Sequence, residues 1–340
     1  MTTTVTTAPP SPPAPTGAPR RRRVPQTWFP VLATLGLLIV MFVAAALRYD
    51  GLASGQVVLN VLIDNAFLLV VAVGMTFVIL TGGIDLSVGA VVALSTMLAA
   101  TLVERQGWPP LLAVVVVLAT GSLLGFVMGS AIHHFELQPF IVTLAGMFLA
   151  RGLSYTIDTD SIPITDPFYV SMATTAIPLG PELSVSTSVV IAAVVVLVAG
   201  YVLHYTRLGR NVYAVGGSAQ SAVLMGLPVG RTKVAVYTIS GFCSALGGVL
   251  YSFYTLSGYA VTAVGLELDA IAAVVIGGTL LTGGAGYLFG TVLGVLVLGL
   301  TQTIITFQGT LSSWWTRIVI AALLFVFIVL QRAVFARRST

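Results

Sequence analysis

One stretch decides how this chain folds: Thr81-Gly82-Gly83-Ile84-Asp85-Leu86-Ser87-Val88-Gly89. It interrupts a long apolar run, residues 61–103, with two adjacent glycines, a carboxylate and a serine. Within a membrane, glycines let a helix break or another backbone approach, and Asp85 and Ser87 can then cap the helix that follows the break. A carboxylate near hydrocarbon is costly, which makes Asp85 a candidate functional residue. The alternative is a simple cap at the membrane surface, and the two roles do not exclude each other.

The composition is that of a membrane protein. Of the 340 residues, 57% are hydrophobic and only 8% are charged, with a mean hydropathy of +1.03, whereas soluble domains carry roughly 25% charged residues. The sequence has no nucleotide-binding loop, no nucleophile triad and no paired catalytic carboxylates, and its three histidines form no metal-ligand pattern. We therefore expect no catalytic residue, no metal, no cofactor, no nucleic-acid partner and no enzymatic activity in this chain.

Ten apolar stretches are candidates for crossing the roughly 30 Å hydrocarbon layer. They are residues 28–47, 57–80, 86–103, 111–132, 139–155, 186–204, 234–256, 268–281, 286–306 and 314–330. The predicted fold class is all-α, a polytopic membrane protein with about ten transmembrane helices, some of them broken by glycine.

Charge separates the loops between these stretches. Eleven of the fifteen basic residues lie at 20–23, 207–233 and 332–338, whereas residues 158–182 contain four acids and no base. Lys and Arg accumulate on the cytoplasmic side of membrane spans. We therefore predict that both termini are cytoplasmic. The predicted organisation is a disordered basic tail (1–24), a transmembrane domain (25–332) with an outer loop (157–185) and a cytoplasmic loop (206–233), and a short tail (333–340).

The sequence of the glycine break recurs later in the chain. Residues 80–83, with Gly89 six residues further on, recur as Leu281-Thr282-Gly283-Gly284, with Gly290 six residues further on. Matched glycine-interrupted segments indicate a transport pathway, although small residues also simply allow close helix packing. The ten-span topology gives both copies the same orientation, so an inverted repeat does not follow from it.

The cytoplasmic loop contains a predicted short helix. Ser218 can cap its start, Gly226 and Pro228 can end it, and the glycines at 216–217 end a preceding strand-like or irregular run. Its small and adaptable side chains fit a groove on another protein, the alternative being a solvated helix that only links two spans.

Three ordered blocks make the chain resemble a known family. They are residues 81–89, residues 209–217 followed by 225–227, and residues 266–279. These blocks are similar to those of the permease subunits of ABC sugar importers of the ribose/xylose/galactose class, and the resemblance covers about residues 30–332.

Within that class the likeness is greatest to permeases of galactofuranose importers, carried by residues 64–67, 161–164 and 309–316. The resemblance implies one permease subunit of an ATP-driven sugar importer in a bacterial inner membrane, forming half of the translocation pathway. It also implies a second, homologous permease in a heterodimer, a cytoplasmic ATPase and an extracytoplasmic sugar-binding protein. Ribose or xylose are alternative substrates.

A pathway for a neutral, polyhydroxylated sugar needs small residues and scattered hydroxyl or amide groups rather than a strong charge. The predicted pathway residues are Asn65, Thr81, Gly82, Gly83, Asp85, Ser87, Asp269, Thr279, Thr282, Gly283 and Gly284. The resemblance makes the loop helix the element that couples to the ATPase, through Ser218, Ala219, Ser221, Ala222, Leu224, Met225 and Gly226.

Two other functions remain open from the sequence. A proton-driven carrier would need carboxylates that cycle protons, for which Asp85, Asp64 and Asp269 are the candidates. An ABC permease for amino acids would share the architecture and differ in its substrate.

Overall fold

A computed structural model of the chain describes residues 29–180, 182–310, 312 and 314–336. The predicted basic tail, residues 1–24, lies outside the described residues. Most of the described chain is helical. Its helices are α1 (Phe29–Arg48), α2 (Gly55–Asp64), α3 (Ala66–Leu80), α4 (Val88–Ala100, continued by a π-helical turn, Thr101–Arg105), α5 (Pro110–His134), α6 (Pro139–Ile157), α7 (Pro167–Thr174), α8 (Thr187–Tyr205), α9 (Arg207–Gly217), α10 (Ala219–Leu224), α11 (Val229–Thr255), α12 (Leu266–Ile276), α13 (Leu288–Gln308) and α14 (Trp314–Ala336).

The fold is not purely helical, which corrects the all-α prediction in detail. Four short strands form two antiparallel pairs, β1 (Ile162–Pro163) with β4 (Ser257–Gly258) and β2 (Ala176–Gly180) with β3 (Leu183–Ser186). Strands β1, β2 and β3 lie in the proline-containing segment between α6 and α8, and β4 lies between α11 and α12. Strand pairing there satisfies backbone groups that the prolines prevent from forming helix.

Seven described helices are long and apolar enough to cross a membrane, or eight if α2 and α3 count as one span. These two helices meet at a bend of 56° beside Asn65. Helix α14 contains a shorter apolar stretch, Trp314–Val329. The molecule is therefore a polytopic membrane protein, but the predicted count of about ten spans is not confirmed.

The prediction of a helix at residues 268–281 is wrong for its last residues, which are not helical. The helix there, α12, has 11 residues and ends at Ile276, which at 1.5 Å per residue gives about 16 Å, half of the hydrocarbon layer. Gly278 adopts φ +94° and stops the helix. The chain then continues to α13 as irregular backbone.

Helix α3 lies at the centre of the molecule, and α11 packs against α3, α4 and α5. Almost every residue of α3 is buried, which accounts for its being apolar on all sides. The contact of α5 with α11 depends on Gly121, Gly125 and Gly129, spaced four residues apart. A Cβ added to Gly125 would lie 2.2 Å from the carbonyl oxygen of Tyr237. Small residues at this spacing let membrane helices approach closely.

The polar segments between the long helices gather at two opposite ends. One, called here the acidic end, contains residues 158–182. The contacts that join segments at this end include Gln56 with Ser184, the ion pair of Arg105 with Asp158, and β1 with β4. The N–H of Asp160 and the guanidinium of Arg105 hold the pKa of the Asp158 carboxyl below its ordinary value.

The other end, called here the basic end, contains residues 207–233. The contacts that join segments there include His133 beside Gly230, Leu80 with Gly284, and Pro30 beside Gly278. The start of α1 and the breaks after α3 and α12 therefore lie at the same end as the basic loop.

Candidate functional site

Helices α3 and α12 end in the same way at the basic end. In α3 the N–H of Gly82 donates to Ile79 (2.9 Å) and that of Gly83 to Val78 (3.1 Å), with Gly82 at φ +78°. In α12 the N–H of Gly278 donates to Val275 (2.9 Å) and that of Thr279 to Val274 (3.2 Å). Both are Schellman turns, in which a left-handed glycine lets the chain satisfy the last helical carbonyls.

The stretch that repeats the sequence of the first break is therefore not the stretch that repeats its backbone geometry. The break at residues 80–83 corresponds in geometry to residues 276–279, not to residues 281–284 as the repeated letters suggest. The two repeated stretches instead touch each other. The N–H of Gly284 donates to the carbonyl of Leu80 (2.9 Å), and a Cβ on Gly82 would lie 3.3 Å from the carbonyl oxygen of Thr282.

The end of α9 packs into the same contact. A Cβ on Gly216 would lie 1.8 Å from the Leu80 carbonyl oxygen and 2.5 Å from the Gly284 nitrogen. The hydroxyl of Tyr213 in α9 donates to the carbonyl of Gly286 (3.0 Å). Residues 80–83, 216–217 and 282–284 thus meet backbone to backbone, and this contact is called the glycine junction below.

Asp85 lies beyond the glycine junction and is fully buried. Its carboxylate accepts hydrogen bonds from the N–H of Ser87 (2.9 Å), the hydroxyl of Ser87 (2.6 Å) and the hydroxyl of Ser240 in α11 (2.7 Å). The Tyr237 hydroxyl donates to the carbonyl of Ile84 (3.3 Å). The carboxylate therefore fastens the break to α11.

The predicted cap of α4 differs from the observed one. The helix begins at Val88 after Ser87, but Ser87 makes no side-chain cap bond to it. The reason is that its hydroxyl is engaged by Asp85, whose carboxylate binds the N–H of Ser87 just before the helix.

The three predicted threonines differ in their surroundings, and Thr282 is exposed. The hydroxyl of Thr81 donates to the carbonyl of Val78 (2.8 Å). Thr279 is fully buried, and its hydroxyl oxygen has no hydrogen-bond partner among the described residues. It packs against Gly286, on which a Cβ would lie 2.5 Å from that oxygen.

Asn65 and Asp269, two other predicted pathway residues, lie far along the chain from each other but line one cavity. This cavity, called the acidic-end cavity, has a volume of about 440 Å³. Its polar lining residues are Asn65, Asp269, Gln302, Thr306, Thr316 and Arg317, and its apolar ones include Leu68, Leu298, Ile305 and Ile320.

Sequence reasoning missed Gln302, Thr316 and Arg317. A signal existed, because Gln302 and Arg317 interrupt the apolar sequences of α13 and α14, and polar residues within membrane helices are functional candidates. Nothing in the sequence brings them next to Asn65.

The loop helix forms as its end signals predict. It is α10, the Ser218 hydroxyl accepts from the N–H of Ser221 (3.2 Å), and Gly226 at φ +73° ends the turn after it. The segment before it is a helix, α9, and not the predicted strand-like or irregular run. Its start is capped by Thr206, which accepts from the N–H of Gly209.

One predicted coupling residue points inward. Ala222 is fully buried within the chain, whereas Val223, Leu224 and Met225 are 60%, 88% and 66% exposed. Ala222 therefore packs α10 onto its own protein, and the apolar tip, defined as residues 223–225, is the part left for a partner. Among the described residues no group of His, Cys, Asp and Glu could hold a metal ion.

Comparisons with known proteins match most of the chain. A family model described as the permease component of the branched-chain amino acid transport system matches residues 57–328. The inner membrane ABC transporter permease protein YjfF of Escherichia coli K12 is 48% identical over 305 residues, covering 89% of this chain and 92% of that protein.

Two further relatives are named for sugars. The fructose import permease protein FruG of Bifidobacterium longum is 43% identical, covering 90% of this chain and 92% of its own length. The ribose import permease protein RbsC of Escherichia coli K12 is 36% identical, covering 89% and 94%. No solved structure matches the chain significantly.

Proposed function

We propose that this chain, which belongs to the family of permease components of the branched-chain amino acid transport system type, is the permease subunit of an ATP-driven importer of galactofuranose. As an ABC permease it is not an enzyme, and ATP is hydrolysed by a separate subunit. It would form half of the translocation pathway, in a bacterial cell membrane.

The observation that supports this proposal is the glycine junction. The apolar tip of α10 is exposed at the basic end, and the end of α9, two residues before α10, contacts the break of α3 at Leu80 and the irregular segment after α12 at Gly284. These contacts join backbone to backbone, and they are packed so closely that one segment cannot move without displacing the others. A partner that moves α9 and α10 would therefore move the end of the central helix α3 and the segment that follows α12, as coupling of ATP hydrolysis to a pathway requires.

The partners follow from the same proposal. An ATPase would bind the apolar tip, a sugar-binding protein would dock at the acidic end, and a second, homologous permease would complete the pathway. Residues 80–87, Thr279 and residues 282–284 would form the moving part of the pathway near the basic end.

A sugar is favoured as the substrate by the relatives named for ribose, fructose and L-arabinose import. Galactofuranose is favoured by residues 64–67, 161–164 and 309–316, which resemble permeases of galactofuranose importers. Residues 64–67 include the bend at Asn65, and residues 309–316 include two residues that line the acidic-end cavity, so two of these stretches reach one cavity.

The test is sugar uptake by the complete complex of permeases, ATPase and binding protein in proteoliposomes. We expect ATP-dependent uptake of labelled galactose, whose aqueous solution contains the furanose form, and weaker uptake of ribose and fructose. Uptake that persists with an inactive ATPase and a proton gradient would contradict the proposal and indicate a secondary carrier.

Two neighbouring variants test whether the glycine junction couples the ATPase to the pathway. Gly216→Ala should abolish most uptake while the ATPase still binds, because its methyl group collides with Leu80 and Gly284. Gly217→Ala is the matched control, since a Cβ there meets nothing within 4 Å. Equal uptake by the two variants would show that the junction does not couple the ATPase to the pathway.

A further inference from the structure

We infer that the acidic-end cavity is the site where this permease receives the sugar, and that Asp269, Gln302 and Arg317 hold its hydroxyl groups. This inference rests on the proposed function and adds to it a site distinct from the glycine junction. The cavity lies between the start of α3, the start of α12, the end of α13 and the start of α14, all at the acidic end. This is the end at which a binding protein would deliver its ligand.

The lining has the chemistry that a polyol requires. Each sugar hydroxyl both donates and accepts a hydrogen bond. The carboxylate of Asp269 accepts, the guanidinium of Arg317 donates, and the amides of Asn65 and Gln302 do both. All four groups are planar with two or more polar atoms, so each can bind two adjacent hydroxyls. One acid and one base leave the lining without net charge, as suits a neutral ligand.

Parts of the lining are held in place before a ligand arrives. The amide of Asn65 donates to the carbonyl of Val61 (2.9 Å) at the bend between α2 and α3. Gly299 gives that amide room, since a Cβ there would lie 2.5 Å from its nitrogen. The Arg317 guanidinium donates to Val264 (3.4 Å) and lies over the Trp314 ring. Such preorganisation lowers the entropic cost of binding.

The exposure of the lining indicates where the cavity opens. Gln302 and Arg317 are exposed on this chain and Asp269 is half-buried, although all three belong to apolar helices. Such side chains do not face lipid and instead face a bundle interior or a water-filled space. The open side of the cavity therefore faces the second permease, which would supply the other half of the site. Its volume of about 440 Å³ lies within the ~300–1,000 Å³ of small-molecule sites.

An amino acid is the competing ligand, because Arg317 could bind its carboxylate and Asp269 its ammonium group. The additional amide and hydroxyl groups of Asn65, Gln302 and Thr316 favour a polyol, since a branched apolar side chain would leave them unpaired. Leucine therefore serves as the competing probe.

The first experiment compares charge and amide removal in the cavity with matched changes outside it. Asp269→Asn, Gln302→Ala and Arg317→Gln should each lower uptake of the transported sugar at low concentration about tenfold or more, the effect of losing a hydrogen bond to a charged or well-placed group. Glu136→Gln and Gln138→Ala, at two exposed residues between α5 and α6 that lie outside both the cavity and the acidic end, should leave uptake within about twofold.

The second experiment does not depend on transport by a damaged variant. Gln302→Cys in a Cys243→Ala background should react with a membrane-impermeant maleimide added outside. Galactose-loaded binding protein should slow that reaction at least threefold more than sugar-free binding protein does, whereas leucine should not slow it. A merely structural role of the lining would not produce such protection.

The outcomes separate the two proposals. Normal import of galactose with unchanged uptake in the three cavity variants and no protection of Gln302→Cys would overturn the site and leave the proposed function intact. Import of leucine but of none of galactose, ribose, fructose and arabinose would overturn the proposed function itself, and the site with it.

Discussion

At the scale of single residues, Asp85 shows how a costly group is retained in an apolar chain. Its carboxylate is fully buried yet accepts three hydrogen bonds, one of them from Ser240, 155 residues further along. A buried acceptor with satisfied partners stabilises a specific contact, whereas the same donors left unpaired cost about 1–3 kcal/mol each. In this structure the Asp85 carboxylate joins the break to α11 through the Ser240 hydroxyl.

Substitutions at Asp85 should therefore follow hydrogen-bonding capacity more than charge. Asp85→Asn should keep part of the uptake, because its amide oxygen can accept from Ser87 and its amide nitrogen can donate to the Ser240 hydroxyl. Asp85→Leu should lose most uptake and melt earlier in detergent. Uptake per expressed protein and thermal unfolding measure this, and equally harmless Asn and Leu variants would remove the proposed role. Loss of uptake in the Asn variant alone would instead indicate a role for the charge.

At the scale of elements, α10 is a two-sided helix. Ala222 anchors it to its own chain, and the apolar tip at residues 223–225 is exposed. An exposed apolar group of this kind, directly after α9 and its contacts with the glycine junction, is suited to a partner's groove. The two faces predict different consequences for substitutions only two residues apart.

Leu224→Asp should release the ATPase, measured by co-purification, without changing the thermal stability of the permease. Ala222→Glu should destabilise the permease itself, because it buries a charge inside the chain. Leu179→Asp, at an exposed leucine of the acidic end, is the control and should retain the ATPase. Full ATPase binding by Leu224→Asp would exclude the apolar tip as the contact.

At the scale of the whole molecule, the loops sort into an acidic and a basic end. Since the basic residues should face the cytoplasm, we propose that the basic end is inside. Asp160→Cys should then react with an impermeant thiol reagent from outside, and Gln220→Cys from inside, in a Cys243→Ala background. Gln220 is preferable to Ser218, whose hydroxyl caps α10. Labelling of both positions from the same side would overturn this orientation.

The sequence by itself determined the membrane class, the long spans and the ends of several elements. Hydropathy predicts a span because every apolar residue is transferred from water to lipid independently of its neighbours. Caps and breaks are equally local: Ser218 and Gly226 bound α10, and Gly82 ends α3, through bonds that reach only a few residues.

Only the tertiary structure decided which of these elements meet. The repeat at residues 281–284 looked like a second break, yet α12 ends earlier, at Ile276, and the repeat packs against Leu80 instead. Likewise, only the tertiary structure brings Gln302 and Arg317 together with Asn65 in one cavity and turns Ala222 towards the inside of the chain. Contacts across hundreds of residues depend on which helix faces pack, and in a chain this uniformly apolar the pattern of hydrophobic residues does not distinguish one face from another.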